Sequence, residues 1–140
     1  MRFQIDGTKH FRELEKFRKE CFDKVSEATQ KVRVKFISPI AGQEMIYQAK
    51  ELEARKYVTE LPDTLEEYPF MAAEVGKLAE TPWEVAQIWL FMGEQWRLVA
   101  SSIEGMRTTA NKTVESAQTK AEMEQAVNTF CSEVQIHTPV

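Results

Sequence analysis

An all-α fold, a single-domain bundle of about five helices with long first and fourth members, is what this chain predicts, and three observations carry it. Apolar residues recur at spacings of three and four through most of the 140 positions. Two helix starts are written as Thr-x-x-Glu capping boxes, Thr81 with Glu84 and Thr119 with Glu122. The prolines Pro39, Pro62, Pro69 and Pro82 fall between periodic segments, where they punctuate helices.

The elements follow in order. Arg2-Phe3-Gln4-Ile5 alternates polar and apolar, so residues 1–7 predict a short extended segment ended by Asp6-Gly7. Thr8 then caps a helix over 8–37 with apolar positions Phe11, Leu14, Phe17, Cys21, Phe22, Val25, Ala28, Val32 and Phe36. At heptad spacing this stripe is broken once, by Arg18. The β-branched alternation from Val32 to Ile37 has a rival reading as strand. Ser38-Pro39 and Ala41-Gly42 turn the chain into a second helix over 43–60. There Met45, Ile46, Ala49, Leu52 and Tyr57 predict the buried stripe, with Lys50, Glu51, Glu53, Arg55 and Lys56 toward water. Pro69 opens a short third helix over 69–79. Thr81, Pro82 and Glu84 start a fourth over 82–117, apolar on several sides. Gly93 and Gly105 each weaken that helix by roughly 1 kcal/mol relative to Ala, which predicts a kink or a close contact there. A fifth helix spans 120–134, and residues 135–140 read as a flexible tail.

A chain of this length suits one domain and buries roughly 70% of its unfolded surface. Its hydrophobic share of 43% and charged share of 29% are those of an ordinary soluble protein. No apolar run approaches the ~20 residues of a membrane span, and the N-terminus lacks the apolar core of a signal peptide. The expectation is therefore a cytoplasmic chain with no membrane partner. Residues 1–37 hold ten Lys/Arg and six Asp/Glu, while 38–140 hold eight and sixteen. The basic residues alternate with Glu13, Glu15, Glu20, Asp23 and Glu27 along one helix, the pattern of a salt-bridged face or of a surface that docks on an acidic neighbour rather than of a nucleic-acid footprint.

The groups that carry chemistry are sparse. Cys21 and Cys131 stand apart with no CxxC or Cys/His cluster and read as buried free thiols. His10 and His137 sit at opposite ends without ligand spacing, and Cys21 lies about 16 Å from His10 along a helix, too far for a nucleophile and its base. The glycines are isolated, so no phosphate loop exists, and Glu51, Glu53, Glu66 and Glu67 read as solvated carboxylates. Neither an enzyme nor a cofactor or metal is expected. Trp89 and Trp96, seven apart with Met92 between them, read as core packing or as the centre of a partner surface. Leu90 and Phe91 point to the other side of the same helix, which would then need two neighbours.

Four segments, GQEMIYQAKELEARKY at 42–57, EYPFMAAEVG at 67–76, TPWEVAQIW at 81–89 and IEGMRTTANKTVESAQTKAEM at 103–123, resemble a helical module of phage proteins encoded among tail-fibre and tail-assembly genes. The matching positions are Gly42-Gln43, Tyr47, Lys50, Glu53-Ala54, Tyr68-Pro69, Thr81, Glu84-Val85-Ala86 and Arg107, within a likeness covering residues 33–130. In that group the module often follows a β-rich or fibre-like part, whereas this chain opens with a charged helix.

The resemblance implies a virion component or a tail or fibre assembly chaperone, present in the host cytoplasm during assembly or in the virion tail, with another tail or fibre protein as partner. It implies no catalytic residue. A small inhibitor of a host factor is the alternative. A first helix of about 29 residues is some 40–45 Å long, against about 30–35 Å for a compact bundle of this size, so its N-terminal half would overhang. A homo-oligomer is therefore expected, with Phe11, Leu14, Phe17, Arg18, Phe22, Val25, Trp89 and Trp96 as the candidate interface.

Overall fold

The computed structural model describes residues 7–36 and 42–135 and contains five α-helices. They are α1 (Gly7–Arg33), α2 (Gln43–Glu60), α3 (Pro69–Glu74), α4 (Pro82–Ser116) and α5 (Lys120–Gln135). Among the described residues there is no strand, and α1 and α4 are the long members, as the periodicity predicts. The expected extended segment falls on residues 1–6, outside the described ones, but Gly7 already belongs to α1. Gln135, expected in the tail, is the last residue of α5, and 136–140 lie outside the described residues.

Two boundaries differ from expectation for local reasons. α1 stops at Arg33, and residues 34–36 form a turn in which the amides of Lys35 and Phe36 donate to the carbonyls of Val32 and Arg33. Within the described residues the strand reading of this stretch therefore gives way to a tightened helix end. α3 stops five residues early because Val75 is extended and Gly76 is left-handed at φ +86. The amide of Gly76 donates to the carbonyl of Ala79, closing a small turn before α4.

The helices gather into two compact units. The first comprises α1, α5 and the part of α4 from Ala100 onward; the second comprises α2, α3 and the part of α4 up to Val99. In the first unit Cys21, Val25 and Val32 of α1 are buried, as are Ile103, Ala110 and Val114 of α4. Met123, Ala126, Val127, Phe130 and Val134 complete that core from α5. Each fully buried large side chain contributes roughly 1.5–3 kcal/mol relative to exposure. Thr29, the buried polar residue of α1, donates its hydroxyl to the carbonyl of Val25 at 2.7 Å, so its burial leaves no unmet donor.

Arg18, the break in the heptad, has a definite place. Its Nη1 donates to the carbonyls of Val114, Glu115 and Ala117 at 2.6, 2.9 and 2.9 Å, and its Nε donates to Glu15. A helix ends with unpaired carbonyls and a partial negative charge, and a guanidinium answers both at the end of α4.

In the second unit Ala54, Tyr68, Met71, Val85, Ala86 and Trp89 form the core, flanked by Tyr57, Val58, Leu65, Phe70 and Ile88. α4 starts as the capping box dictates, with the amide of Glu84 donating to Thr81 Oγ1 at 3.2 Å. Thr81→Ala is expected to cost about 1 kcal/mol in a denaturant titration. Gly105 shows no close neighbour to account for it, since a Cβ built there meets nothing within 4 Å. Gly105→Ala should therefore raise stability by about 1 kcal/mol, read as a higher denaturation midpoint at unchanged slope.

Candidate interaction surface

Of the expected α2 stripe Ile46, Ala49 and Tyr57 are half-buried, but the helix is rotated enough that the other two members meet solvent. Met45 is 74% and Leu52 68% exposed, although both were expected in the buried stripe. The side that turns inward carries Ala54, with Tyr57 and Val58 partly buried beside it. Charged residues expected in water turn inward too, and each is met by a partner. Lys50 Nζ donates to Glu74 at 2.6 Å and stands 5.6 Å from the ring centre of Trp89. Glu53 accepts from the backbone amides of Phe70 and Met71 at 3.0 and 2.9 Å, capping the start of α3 with a full negative charge. Glu51 accepts from Arg55 at 2.9 Å and from Arg97 of α4.

Gly93 supplies the close contact expected at one of the two α4 glycines. A Cβ there would lie 2.6 Å from the Glu51 carboxyl carbon, so the carboxylate rests where a side chain would stand. Behind this layer Tyr68 is buried and donates to Glu60 at 2.8 Å; burial and then that carboxylate push its phenol up to about 12.

The candidate interface residues divide. Val25 and Trp89 are buried, at 0% and 6% exposure, and so belong to the cores of their units rather than to a contact surface. Arg18 is committed to the end of α4. Leu14, Phe17, Phe22 and Trp96 are half-buried, and Lys120 Nζ stands 5.5 Å from the ring centre of Phe17. Phe11 is 61% exposed.

Outside that set the exposed large apolar residues are Val34 in the first unit and Met45, Tyr47, Leu52, Leu61, Leu78, Trp83, Phe91, Met92 and Leu98 in the second. The sequence signals one of them, since Phe91 stands opposite the Val85–Trp89 stripe. Met45 and Leu52 were hidden by the ordinary rule that apolar residues face in and charges face out.

No protein-family model matches the chain, and neither a curated protein nor a solved structure matches it significantly.

Nothing in the described residues groups three or more His, Cys, Asp or Glu as a metal site would require, and no helix is long and apolar enough to cross a membrane. Cys21 and Cys131 are free thiols; Cys21 is buried, which pushes its thiol up, while Cys131 is half-buried. His10 is exposed, and His137 lies outside the described residues.

Two carboxylates link the fold to pH. Hydrogen bonds from Arg107 hold Glu104 below its ordinary range, with Arg33 adding to the effect. Burial alone would raise Glu51, but Arg97 and Arg55 outweigh it and hold that carboxyl low as well. A depressed folded value means that these contributions are full above the ordinary carboxylate pKa near 4.3 and are lost as pH falls through the folded values. Thermal stability should therefore drop in the acid range below about pH 4, and Glu104→Gln/Glu51→Gln should flatten that part of the stability–pH curve.

Proposed function

We propose that this chain is a non-enzymatic protein of the phage tail region, a virion component or an assembly chaperone for a tail or fibre part, working through helical protein–protein contacts. The observation that carries the contact reading is the exposed apolar set of the second unit. Met45, Leu52, Phe91, Met92 and Leu98 are each more than half exposed, an accumulation of large apolar side chains that suits a surface covered by a partner. The resemblance of segments 42–57, 67–76, 81–89 and 103–123 to the tail-gene module supplies the biological setting. Two partners follow, a second copy of this chain and a tail or fibre protein. The chain acts in the host cytoplasm during assembly and is carried into the virion tail if it is a structural component.

Tagged protein recovered from infected cells and from purified particles tests this. A tail component stays with the particle; a chaperone co-purifies with an unassembled tail or fibre protein and is lost at maturation. Absence of any tail or fibre protein from both preparations would overturn the proposal. The second reading, a small phage protein that inhibits a host factor, is favoured by one observation. Residues 37–99 carry eleven Asp/Glu and five Lys/Arg, a net charge of −6 that suits a basic host surface. Recovery on a host protein in place of a tail protein would select it.

A further inference from the structure

We infer that copies of this chain associate head to tail, the basic N-terminal half of α1 in one copy docking on the acidic outward face of α4 in the next. This rests on the helical-contact reading above and names its partner as a second copy. Glu84, Phe91 and Leu98 are spaced by seven, and Glu94 lies three after Phe91 and four before Leu98, so the four share one stripe of α4. All four are exposed, with Phe91 at 62% and Leu98 at 61%. The stripe lies opposite the buried Val85, Ala86 and Trp89, so the core of its own unit does not claim it. Two exposed phenyl and isobutyl groups set between carboxylates, within a segment of net charge −6, call for an apolar surface rimmed by cations.

α1 carries such a surface. Phe11 is exposed, and Arg12, Lys16 and Lys19 form an exposed basic row at spacings of four and three directly beside it. Over its whole length α1 has eight Lys/Arg and five Asp/Glu, a net charge of +3. Arg18 and Glu15 on the same half are spent on one another and on the end of α4; Glu13 and Glu20 are exposed beside the Arg12–Lys16–Lys19 row, and residues 7–20 as a whole carry five Lys/Arg and three Asp/Glu, a net charge of +2. The two surfaces differ in sign and lie on different units of the chain, so a copy offers one of each. The contact is therefore heterologous, and repetition closes a ring or extends a row.

Light scattering on the full chain between about 5 and 100 micromolar, at low salt, tests this against the variants Phe11→Ser and Phe91→Ser/Leu98→Ser. The wild type should exceed monomer mass increasingly with concentration, and each variant alone should remain a monomer. An equimolar mixture of the two variants should form a dimer, because one copy keeps its α4 face and the other keeps its α1 face. A same-face interface predicts something different: Phe11→Ser or the α4 variant alone would still associate. Lys16→Glu should weaken association at least tenfold and Glu94→Lys should restore it in the mixture, a readout that loss of folding would not give. Wild type that stays monomeric throughout, a mixture that stays monomeric, or variants that associate as the wild type does would each overturn the inference. Monomeric protein that still co-purifies with a tail or fibre protein would remove this contact and leave the proposed function standing; association without any tail partner would do the reverse.

Discussion

Trp89→Ala is expected to cost about 3–5 kcal/mol, the largest effect of any single substitution considered, because it removes the biggest side chain of the second unit's core. Trp89 is 6% exposed and packs with Ala54, Tyr68, Met71, Val85 and Ala86. Its ring also faces the Lys50 ammonium at 5.6 Å, a contact worth about 0.5–1 kcal/mol where partly exposed. The loss would therefore uncover a cation as well as open a cavity. Trp89→Phe keeps an aromatic face and part of the volume, so it should recover much of the difference. Urea unfolding followed by far-ultraviolet circular dichroism checks both. Unchanged stability in Trp89→Ala would return this residue to the partner surface and remove it from the core.

Arg18→Met is expected to cost about 2–3 kcal/mol, within the range for hydrogen bonds to charged groups. Methionine keeps most of the aliphatic stem, so the loss isolates the guanidinium and its bonds to the carbonyls of Val114, Glu115 and Ala117. Arg18→Lys restores the charge but not the planar fork, and should recover only part of the loss. Equal stability of the Met and wild-type chains would mean that water serves those carbonyls as well as the guanidinium does. Hydrogen exchange at the α4–α5 junction offers an independent check, since fraying there should rise in the Met variant.

The helices were legible where the sequence states their ends. Gln43 and Glu60 bound α2 as expected, and Thr81-Pro82-Glu84 and Thr119-Lys120-Glu122 start α4 and α5 at the expected residues. Caps act within one turn, so they are local signals. Periodicity overextends α3, because its end is set by a left-handed Gly76 and an extended Val75, which spacing over a few residues does not reveal. Orientation was harder than existence. Periodicity placed Met45 and Leu52 inward, but α2 is apolar on two faces, and the choice between them is made by partners distant in sequence: Glu74 for Lys50, Arg97 for Glu51, and the amides of Phe70 and Met71 for Glu53. The same holds for Arg18, whose break in the stripe is explained by carbonyl partners 96 to 99 residues away.

The inward charges of α2 also alter what random change can do to this segment. On an ordinary surface helix a lysine or glutamate is the position most freely replaced, and a leucine the least. Here Lys50 answers Glu74, Glu51 answers both Arg55 and Arg97, and Glu53 accepts from the backbone amides of Phe70 and Met71, so a charge reversal at Lys50 or Glu51 calls for matching changes at Glu74 or at the two arginines, and no side-chain swap elsewhere replaces Glu53. Met45 and Leu52 reach outward and are mostly exposed. In a deep mutational library scored by folding alone, Lys50, Glu51 and Glu53 should be intolerant and Met45 and Leu52 permissive, the reverse of the ordinary pattern. On the proposed tail-region function, scoring by recovery in assembled particles should make Met45 and Leu52 intolerant as well. The gap between those two profiles would mark which outward residues the chain keeps for another molecule and not for itself.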